Sequence, residues 1–196
     1  MNPASIAGVI LAAGASSRMG TPKALLNFQG ETFLDRLIRL FSAVSSPVIV
    51  VLGHHAEPIR ASIARASQAT FVVNPDPERG MLSSLQCGLI AVPRDSEAVI
   101  FTPVDHPNVR ESTLLMLASE FQPPVTVPEY AGAHGHPVCI SRALAAELLK
   151  LPSSEQASDV IHRYKAQTSY IEVNDRGVVT DVDDREAYME LLQSGL

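Results

Sequence analysis

Residues 6–26 read IAGVILAAGASSRMGTPKALL, where an apolar run passes directly into a segment rich in glycine, serine and basic residues. The run is short and rich in β-branched side chains, which is typical of a buried parallel strand. After it, Gly14 and Gly20 allow the backbone to approach a ligand or to adopt positive φ, so that N–H groups can face phosphate oxygens. Arg18 and Lys23 add two positive charges. The stretch lacks the P-loop and dinucleotide fingerprints, and it indicates either another kind of phosphate-binding loop or an ordinary glycine-rich turn.

Short apolar runs alternate with amphipathic stretches along the rest of the chain. The pattern predicts strands at residues 6–11, 48–52, 71–73, 99–101, 170–173 and 178–182. Apolar residues at helical spacing predict helices between the first four strands, after residue 101, and at residues 141–150, 158–165 and 185–193. This alternation predicts an α/β fold with a doubly wound sheet. No repeat or low-complexity linker interrupts residues 1–196, so we expect a single domain whose second half extends the same sheet.

Composition narrows the possible partners. Of the 196 residues, 46% are hydrophobic and 18% are charged, as in ordinary globular proteins. The net charge of −6 argues against nucleic acids and anionic membranes, although a local cluster of Arg and Lys suffices for a nucleotide. Cys87 and Cys139 form no CxxC pattern and are expected to be small core residues of a reduced protein. No segment resembles a signal peptide or a membrane span, which predicts a cytoplasmic protein.

Two carboxylates lie at the ends of predicted strands. Asp105 follows the strand at 99–101, where a carboxylate can hold Mg²⁺ together with phosphate oxygens and water. Its alternative role is that of a turn or helix-capping residue, since Pro107 follows. Asp183 follows residues 178–182, and in a parallel-type sheet both carboxylates can reach one ligand-binding edge. Asp183 can instead help to open the final helix, where acidic residues complement the helix dipole.

Serines and histidines mark two further segments. Ser83 and Ser84 stand at a predicted helix start, where either can bond backbone amides as an ordinary cap. His134 and His136 are two positions apart, but no third and fourth ligand for a transition metal lies nearby in the sequence. For His136, a substrate contact and a purely structural role both stay open.

The motifs resemble those of a known family. Residues 11–23, LAAGASSRMGTPK, resemble the LAAGxSxRMGxxK signature of the MobA-like nucleotidyltransferases, and within them the molybdenum cofactor cytidylyltransferase branch. Leu-Ala-Ala-Gly is typical of that branch, whereas guanylyltransferases usually have Leu-Ala-Gly-Gly. Further matches follow in the family's order: 74–85 (NPDPERGMLSSL), 104–107 (VDHP), 132–138 (GAHGHPV) and 181–186 (DVDDRE).

This resemblance implies a single-domain, three-layer α/β/α fold with a Rossmann-like, mixed but mostly parallel sheet of the nucleotide-diphospho-sugar transferase type. It places an NTP-binding half at about residues 1–121 and an acceptor-binding half at about 122–196. It implies Mg²⁺-dependent transfer of CMP from CTP to molybdopterin with release of pyrophosphate. Alternatives are GTP as the donor, a sugar or polyol phosphate as the acceptor, or a non-catalytic module that delivers the cofactor to a molybdoenzyme.

The resemblance also assigns roles to residues. Lys23, Arg18 and Asp105 are implied to be catalytic, and Asp105 and Asp183 to bind the metal. The implied acceptor-binding residues are Gly135, His136 and Pro137. The implied nucleotide-binding residues are Leu11, Ala12, Ala13, Gly14, Ser16, Ser17, Gly20, Asn74, Gly80, Met81, Ser83 and Ser84.

Two departures from the family pattern bear on the acceptor. Residues 154–161 read SEQASDVI where the cytidylyltransferase branch often carries GDxGAR, and His106 stands where many relatives have Gln or Met. Both leave the implied NTP-binding half intact, and both leave the identity of the acceptor open.

Overall fold

The computed structural model describes residues 5–152, 155, 160–161 and 163–194. Its strands are β1 (Ile6–Ala12), β2 (Asn27–Phe28), β3 (Glu31–Thr32), β4 (Val48–Leu52), β5 (Thr70–Val73), β6 (Ala98–Pro103), β7 (Val125–Tyr130), β8 (Ala133–His134), β9 (Val138–Ser141) and β10 (Thr168–Glu172). Its helices are α1 (Phe33–Ser42), α2 (Ala56–Ser62), α3 (Met81–Ala91), α4 (Glu111–Ser119), α5 (Arg142–Leu148) and α6 (Arg185–Ser194). Within the described residues, no helix is long and apolar enough to cross a bilayer.

The main sheet has eight strands in the order β10-β7-β9-β6-β1-β4-β5, with β8 paired to β7. Strand β1 lies at the centre, parallel to both β4 and β6, and Ile10 faces Val50 on one side and Thr102 on the other. Strand β9 runs antiparallel between β6 and β7, which makes the sheet mixed but mostly parallel. The second half therefore extends the same sheet, as the sequence predicts.

Helices cover both faces of the sheet. Because side chains alternate along a strand, Ile6 and Ile10 of β1 pack into one core with α1, α2, α4 and α6. Val9 and Leu11 point to the other face and pack with α3 and α5. The architecture is a three-layer α/β/α fold, and this prediction is confirmed. The carboxyl ends of β1, β4, β5 and β6 meet at one edge, where open α/β sheets bind ligands.

Most predicted elements are present within a residue or two of their expected bounds. The helix predicted at 141–150 is α5, and the Ser141 hydroxyl accepts a hydrogen bond from Leu144 N at its start. Of the helix predicted at 158–165, residues 160, 161 and 163 are helical, and residues 158, 159 and 162 lie outside the described residues. Cys139 is buried in β9 and Cys87 is half-buried on α3, so both pack in or against the core as expected.

The strand predicted at residues 178–182 is wrong. Residues 176–179 form a 3₁₀ turn instead, and the chain then continues without regular structure into α6. Val178 and Val182 are fully buried, which gives the segment the apolar pattern of a strand. Their backbone groups, however, bond to loops: the Val178 carbonyl accepts from His136 N at 2.8 Å, and Val182 N donates to the Asp105 carbonyl at 2.9 Å.

Candidate active site

A cavity of about 340 Å³ lies at the carboxyl end of β1, between the loops that follow β1, β5 and β6. The β1 loop folds back on itself, since the Ser16 hydroxyl accepts a hydrogen bond from Lys23 N at 3.0 Å. Ser16 and Gly20 have positive φ values of 52° and 68°, which a loop with this tight a return requires. Gly20 thus meets the expectation for a left-handed residue, whereas Gly14 adopts an ordinary φ.

The Lys23 ammonium joins two carboxylates at the mouth of this cavity. Its Nζ donates to Asp105 Oδ2 at 3.0 Å and to Asp183 Oδ1 at 2.7 Å. Arg18 Nη2 lies 3.7 Å from the second oxygen of Asp183. The Lys23 side chain is only 13% exposed, whereas that of Arg18 is 69% exposed. One cation is therefore enclosed between the carboxylates, and the other faces solvent.

The charges of this cluster stabilise one another. Burial on its own would lower the pKa of Lys23, but the hydrogen bond to Asp183 and the negative charge of Asp105 outweigh it, so the pKa is raised. The hydrogen bond from Lys23 in turn lowers the pKa of Asp183. At neutral pH Lys23 is positively charged and Asp183 is negatively charged.

Local structure distinguishes between the open roles of the two aspartates. Asp105 lies two residues beyond the end of β6, in the turn at residues 104–105, and α4 begins only at Glu111 with Arg110 as its N-cap. Asp105 is therefore a turn residue, as one alternative predicted, and it caps no helix. At the start of α6, the capping hydrogen bond comes from Ala187 N to Asp184 Oδ1 at 3.0 Å. Asp184 supplies the cap, and Asp183 is left to face Lys23. The hydrogen bond from Val182 N to the Asp105 carbonyl holds the two segments side by side.

The two carboxylates fit a small divalent cation. Hard oxygen ligands are those that Mg²⁺ prefers, and Mg²⁺ usually takes one or two carboxylates and completes its shell with phosphate oxygens and water. Asp105 and Asp183 each place an oxygen within 3.0 Å of one nitrogen, so both can reach a common ion. In the described part of the chain, no group of three or more His, Cys, Asp or Glu side chains is placed to hold a metal.

The predicted nucleotide-binding residues divide into two groups. Those that line the cavity are Leu11, Ala12, Ala13, Gly14, Ser16, Ser17, Gly80, Met81 and Ser84. Gly20, Asn74 and Ser83 are not part of its lining. Sequence reasoning missed further lining residues on the β1 loop, on α2, at the end of β6 and on nearby loops: Pro22, Ala24, Ile59, Pro77, Pro103 and Val104. Their location after or between the parallel strands is the one signal that could have found them.

Asn74 and the two serines brace the cavity wall. Asn74 is buried, and its Nδ2 donates to Ser83 Oγ at 2.9 Å and to Ser84 Oγ at 3.1 Å. The prediction that a serine caps the helix is wrong, because Gly80 is the N-cap of α3 and no side chain caps it. Ser83 Oγ donates to the Gly80 carbonyl at 2.8 Å instead, since it lies inside the first helical turn. Of these polar side chains, only that of Ser84 reaches the cavity.

A second cavity of about 270 Å³ adjoins the first, with Met81 contributing to both walls. Gly135 and His136 line it, whereas Pro137 is buried behind it. The ring of His134 stacks on Tyr170 with centroids 4.1 Å apart, and its Nε2 lies 2.9 Å from Glu129 Oε2. The cavity's remaining lining residues were not predicted: Phe101, Val127, His134, Val138, Ile161, Lys165, Thr168 and Tyr170.

Two neutral histidines pack together beside the second cavity, which His136 lines. The rings of His106 and His136 lie 5.0 Å apart, and the Nδ1 atom of each is buried without a hydrogen-bond partner. Burial, with a smaller contribution from His106, lowers the pKa of His136 to about 3. Burial also lowers the pKa of His106, in spite of the nearby Asp105 carboxylate. Both rings are therefore uncharged at neutral pH.

Few reactions need this combination of groups. A loop with two cations suits a polyphosphate, and a carboxylate pair suits the divalent metal that accompanies it. The cavity lies at the carboxyl edge of the sheet, beside a second cavity of about 270 Å³. The fold and the site together define a nucleotidyltransferase.

Comparison with known families agrees. A model of the MobA-like NTP transferase domain matches residues 8–168, and the chain belongs to this family. The molybdenum cofactor cytidylyltransferase of Escherichia coli K12 is 25% identical over 181 residues, 92% of each chain. The nicotine blue oxidoreductase of Paenarthrobacter nicotinovorans is 29% identical over 198 residues, 95% of this chain and 96% of the relative.

Solved structures extend the same similarity. The crystal structure of Rv0371c from Mycobacterium tuberculosis H37Rv superimposes with a TM-score of 0.87 at 32% identity, over 98% of this chain and 100% of the other. A structure of Rv0371c in complex with manganese gives a TM-score of 0.82 at 28% identity, over 97% and 99% of the two chains. The fold is thus shared with a solved structure over 98% of this chain, and the enzyme class rests on the family model over residues 8–168.

Proposed function

We propose that the protein transfers CMP from CTP to the phosphate of molybdopterin, with Mg²⁺ as the metal. The observation that carries the proposal is the placement of Lys23 between Asp105 and Asp183 at the mouth of the β1-loop cavity. The Escherichia coli relative supports the donor and the acceptor by its name, and the manganese complex of Rv0371c supports a divalent metal.

In the proposed reaction, a phosphate oxygen of the acceptor attacks the α-phosphorus of CTP. The bond from the α-phosphorus to the bridging oxygen breaks, and pyrophosphate leaves with that oxygen's electron pair. Charge on the α-phosphate oxygens grows in the transition state, so fixed cations nearby lower the barrier. A bound Mg²⁺ would neutralise phosphate charge and orient the α-phosphate.

The chain's own residues divide this work. Asp105 and Asp183 would hold the metal, which releases Lys23 from its carboxylate partners to face the α-phosphate. Arg18, exposed at the rim, would bind the β- and γ-phosphates. The backbone of residues 12–14 would pass beside the ribose and base, where Ala12 and Ala13 match the cytidylyltransferase form of the motif.

The second cavity is the proposed acceptor site. Met81 lines both cavities, so a ligand in the second cavity would lie next to a nucleotide bound in the first. His134 and Tyr170 offer a stacked pair of flat rings, and Lys165 offers a positive charge. A flat heterocycle that carries a phosphate matches these features better than a sugar phosphate does, because a sugar gains less from stacking.

Pyrophosphate release tests the proposal. The purified protein with Mg²⁺ is incubated with each of the four NTPs, in combination with molybdopterin, a set of sugar and polyol phosphates, or no acceptor. We expect release only with molybdopterin, fastest with CTP, and a product heavier than molybdopterin by one CMP residue. Release with a sugar phosphate alone would reassign the acceptor. Absence of release with every pair, combined with reduction or oxidation of a pigment substrate, would favour a redox activity such as the name of the Paenarthrobacter relative implies.

A further inference from the structure

The segment from residue 174 to residue 183 passes beside both cavities and is called the strap below. It connects β10 to α6 and contains the residues wrongly predicted as a strand. At its end stands Asp183, and in its middle the Val178 carbonyl accepts from His136 N at 2.8 Å. The strap therefore supplies the carboxylate that faces Lys23 and also contacts the loop that lines the second cavity.

No strand pairing holds the strap in place among the described residues, so the burial of Val178 and Val182 and a few local hydrogen bonds must fix it. The most concentrated of them is Asp175, whose residue is only 3% exposed. Its Oδ2 accepts from Arg110 N at 2.8 Å and from Thr113 Oγ1 at 2.6 Å, and its Oδ1 accepts from Gly177 N at 3.0 Å. One carboxylate thus joins the start of the strap to the start of α4.

Close backbone contacts hold the strap on two sides. A Cβ added to Gly177 would stand 2.4 Å from the Asn108 carbonyl oxygen, and one added to Gly135 would stand 1.8 Å from the Val178 carbonyl oxygen. Neither contact tolerates a side chain. A strap that shifted outward by the width of a methyl group would therefore lose its fit to Asn108 on one side and to Gly135 on the other.

We propose that Asp175 is a positioning residue of the active site, which acts by fixing the strap and through it Asp183. This inference rests on the proposed function, because it assumes that Asp183 holds the metal. In an Asp175→Asn protein one of the three donors faces an amide N–H group instead of an acceptor. A buried N–H group without a partner is costly, so the strap shifts to relieve it. Asp183 then moves relative to Asp105, while the β1 loop stays where β1 places it.

Asp35 provides a matched control elsewhere in the fold. Its residue is 6% exposed, and its carboxylate accepts from Thr32 Oγ1 at 2.7 Å and from Arg65 N at 2.8 Å. Like Asp175, it joins two segments through a buried carboxylate at a helix start, but it lines neither cavity. Asp35→Asn and Asp175→Asn should both lower the melting temperature. A purely structural role predicts no further difference between them.

The experiment measures Mn²⁺ binding rather than turnover. Mn²⁺ is titrated into each protein in the presence of a fixed concentration of α,β-methylene-CTP, and electron paramagnetic resonance measures the free Mn²⁺. The same titration of the nucleotide analogue without protein gives the baseline. We expect Asp175→Asn to need about 10-fold more Mn²⁺ for half-saturation than wild type, since residues that orient metal ligands typically contribute 10- to 100-fold. Asp35→Asn should match wild type. Thr113→Val, which removes one of the three donors to Asp175, should give a smaller shift in the same direction and serves if Asp175→Asn does not fold.

The outcomes separate the inference from the function on which it rests. Equal Mn²⁺ half-saturation for wild type, Asp175→Asn and Thr113→Val would overturn the positioning role and leave the proposed function standing. An equal loss in Asp35→Asn and Asp175→Asn would also overturn it, because the effect would then follow stability alone. Failure of the wild-type protein to bind Mn²⁺ with the analogue would overturn both.

Discussion

The two halves of the sheet build their cavities in different ways. In the first half, about half of the lining comes from the end of β1 and the loop that follows it, residues 11–24, and Arg18 and Lys23 belong to this loop. In the second half, Gly135, Lys165 and Tyr170 come from separate elements and meet only in the folded protein. The proposed polyphosphate site is thus encoded largely in one stretch of sequence, whereas the proposed acceptor site depends on tertiary contacts. Substitutions in the first stretch should act on the nucleotide, and substitutions in the second half on the metal and the acceptor.

The largest expected effects come from Asp105 and Asp183, because Asp105 belongs to the first half of the chain and Asp183 to the second. We expect Asp105→Asn and Asp183→Asn each to reduce Mg²⁺-dependent pyrophosphate release by about 10³-fold or more. The double variant should be no slower than either single one, since residues that act as a unit are not additive. Circular dichroism and melting temperature check that the fold is intact. Normal Mg²⁺ dependence in Asp183→Asn would leave Asp105 as the sole protein ligand and would separate the two halves functionally.

Lys23 and Arg18 sharpen the comparison within the first half. Lys23→Ala should reduce kcat by about 10²- to 10³-fold with little change in nucleotide Kd, because its charge acts mainly in the transition state. Arg18→Ala should mainly raise the KM for the nucleotide, since its exposed guanidinium meets the β- and γ-phosphates in the ground state as well. Steady-state kinetics measures kcat and KM for both variants, and calorimetry measures the nucleotide Kd. Near wild-type turnover in Lys23→Ala would contradict its assignment.

His136 gives a test in the second half that needs no substrate. Its pKa is about 3 in the folded protein and about 6.5 when unfolded. Between these values the unfolded chain binds more protons, so this residue's contribution to stability is complete above pH 6.5 and falls as the pH is lowered. The loss at pH 5 should be about 2 kcal/mol. Urea unfolding at pH 7 and pH 5 should show that the free energy of unfolding decreases less between these pH values in His136→Gln than in wild type. Equal losses would mean that the His136 ring takes up its proton in the folded state.

The smallest effect concerns the choice of base. If Ala12 and Ala13 favour cytosine, CTP with Mg²⁺ should raise the melting temperature more than the same concentration of GTP. A tenfold preference corresponds to about 1.4 kcal/mol, or about 4 °C for a protein of this size. Differential scanning fluorimetry at saturating nucleotide resolves such a difference. Equal shifts, or a larger shift with GTP, would reject a cytidylyl preference.

The same contrast explains how far the sequence predicts the molecule. The core strands β1, β4 and β6 were predicted because β-branched runs buried on both faces leave a continuous apolar signal. The β1 loop was predicted because its glycines, serines and basic residues are contiguous in the sequence. Residues 178–182 were misjudged because burial gives an apolar pattern whether or not a neighbouring strand is present. The division into an NTP half and an acceptor half of one domain stays a prediction.

Within the site, polar groups that bond to each other were the hardest to assign. Asn and Ser are residue types that often contact ligands, so Asn74 and Ser83 were predicted to do so. The fold shows that they hydrogen-bond to each other behind the cavity lining instead. Tyr170 and Lys165 were missed because an alternating edge strand and a short turn carry no chemical signature of their own. The motif singled out Asp183 as a candidate metal ligand, but the sequence gives no sign of its hydrogen bond to Lys23, which depends on the path of the strap.

The central claim is that both halves of the chain supply ligands to one metal. The most direct measurement is a crystal structure with α,β-methylene-CTP and Mn²⁺, in which anomalous scattering locates the manganese. We predict one peak in contact with a carboxylate oxygen of Asp105, one of Asp183 and an oxygen of the α-phosphate, with Lys23 moved from the carboxylates to the phosphate. Manganese away from Asp183, with the contact between Lys23 and Asp183 unchanged, would contradict the claim.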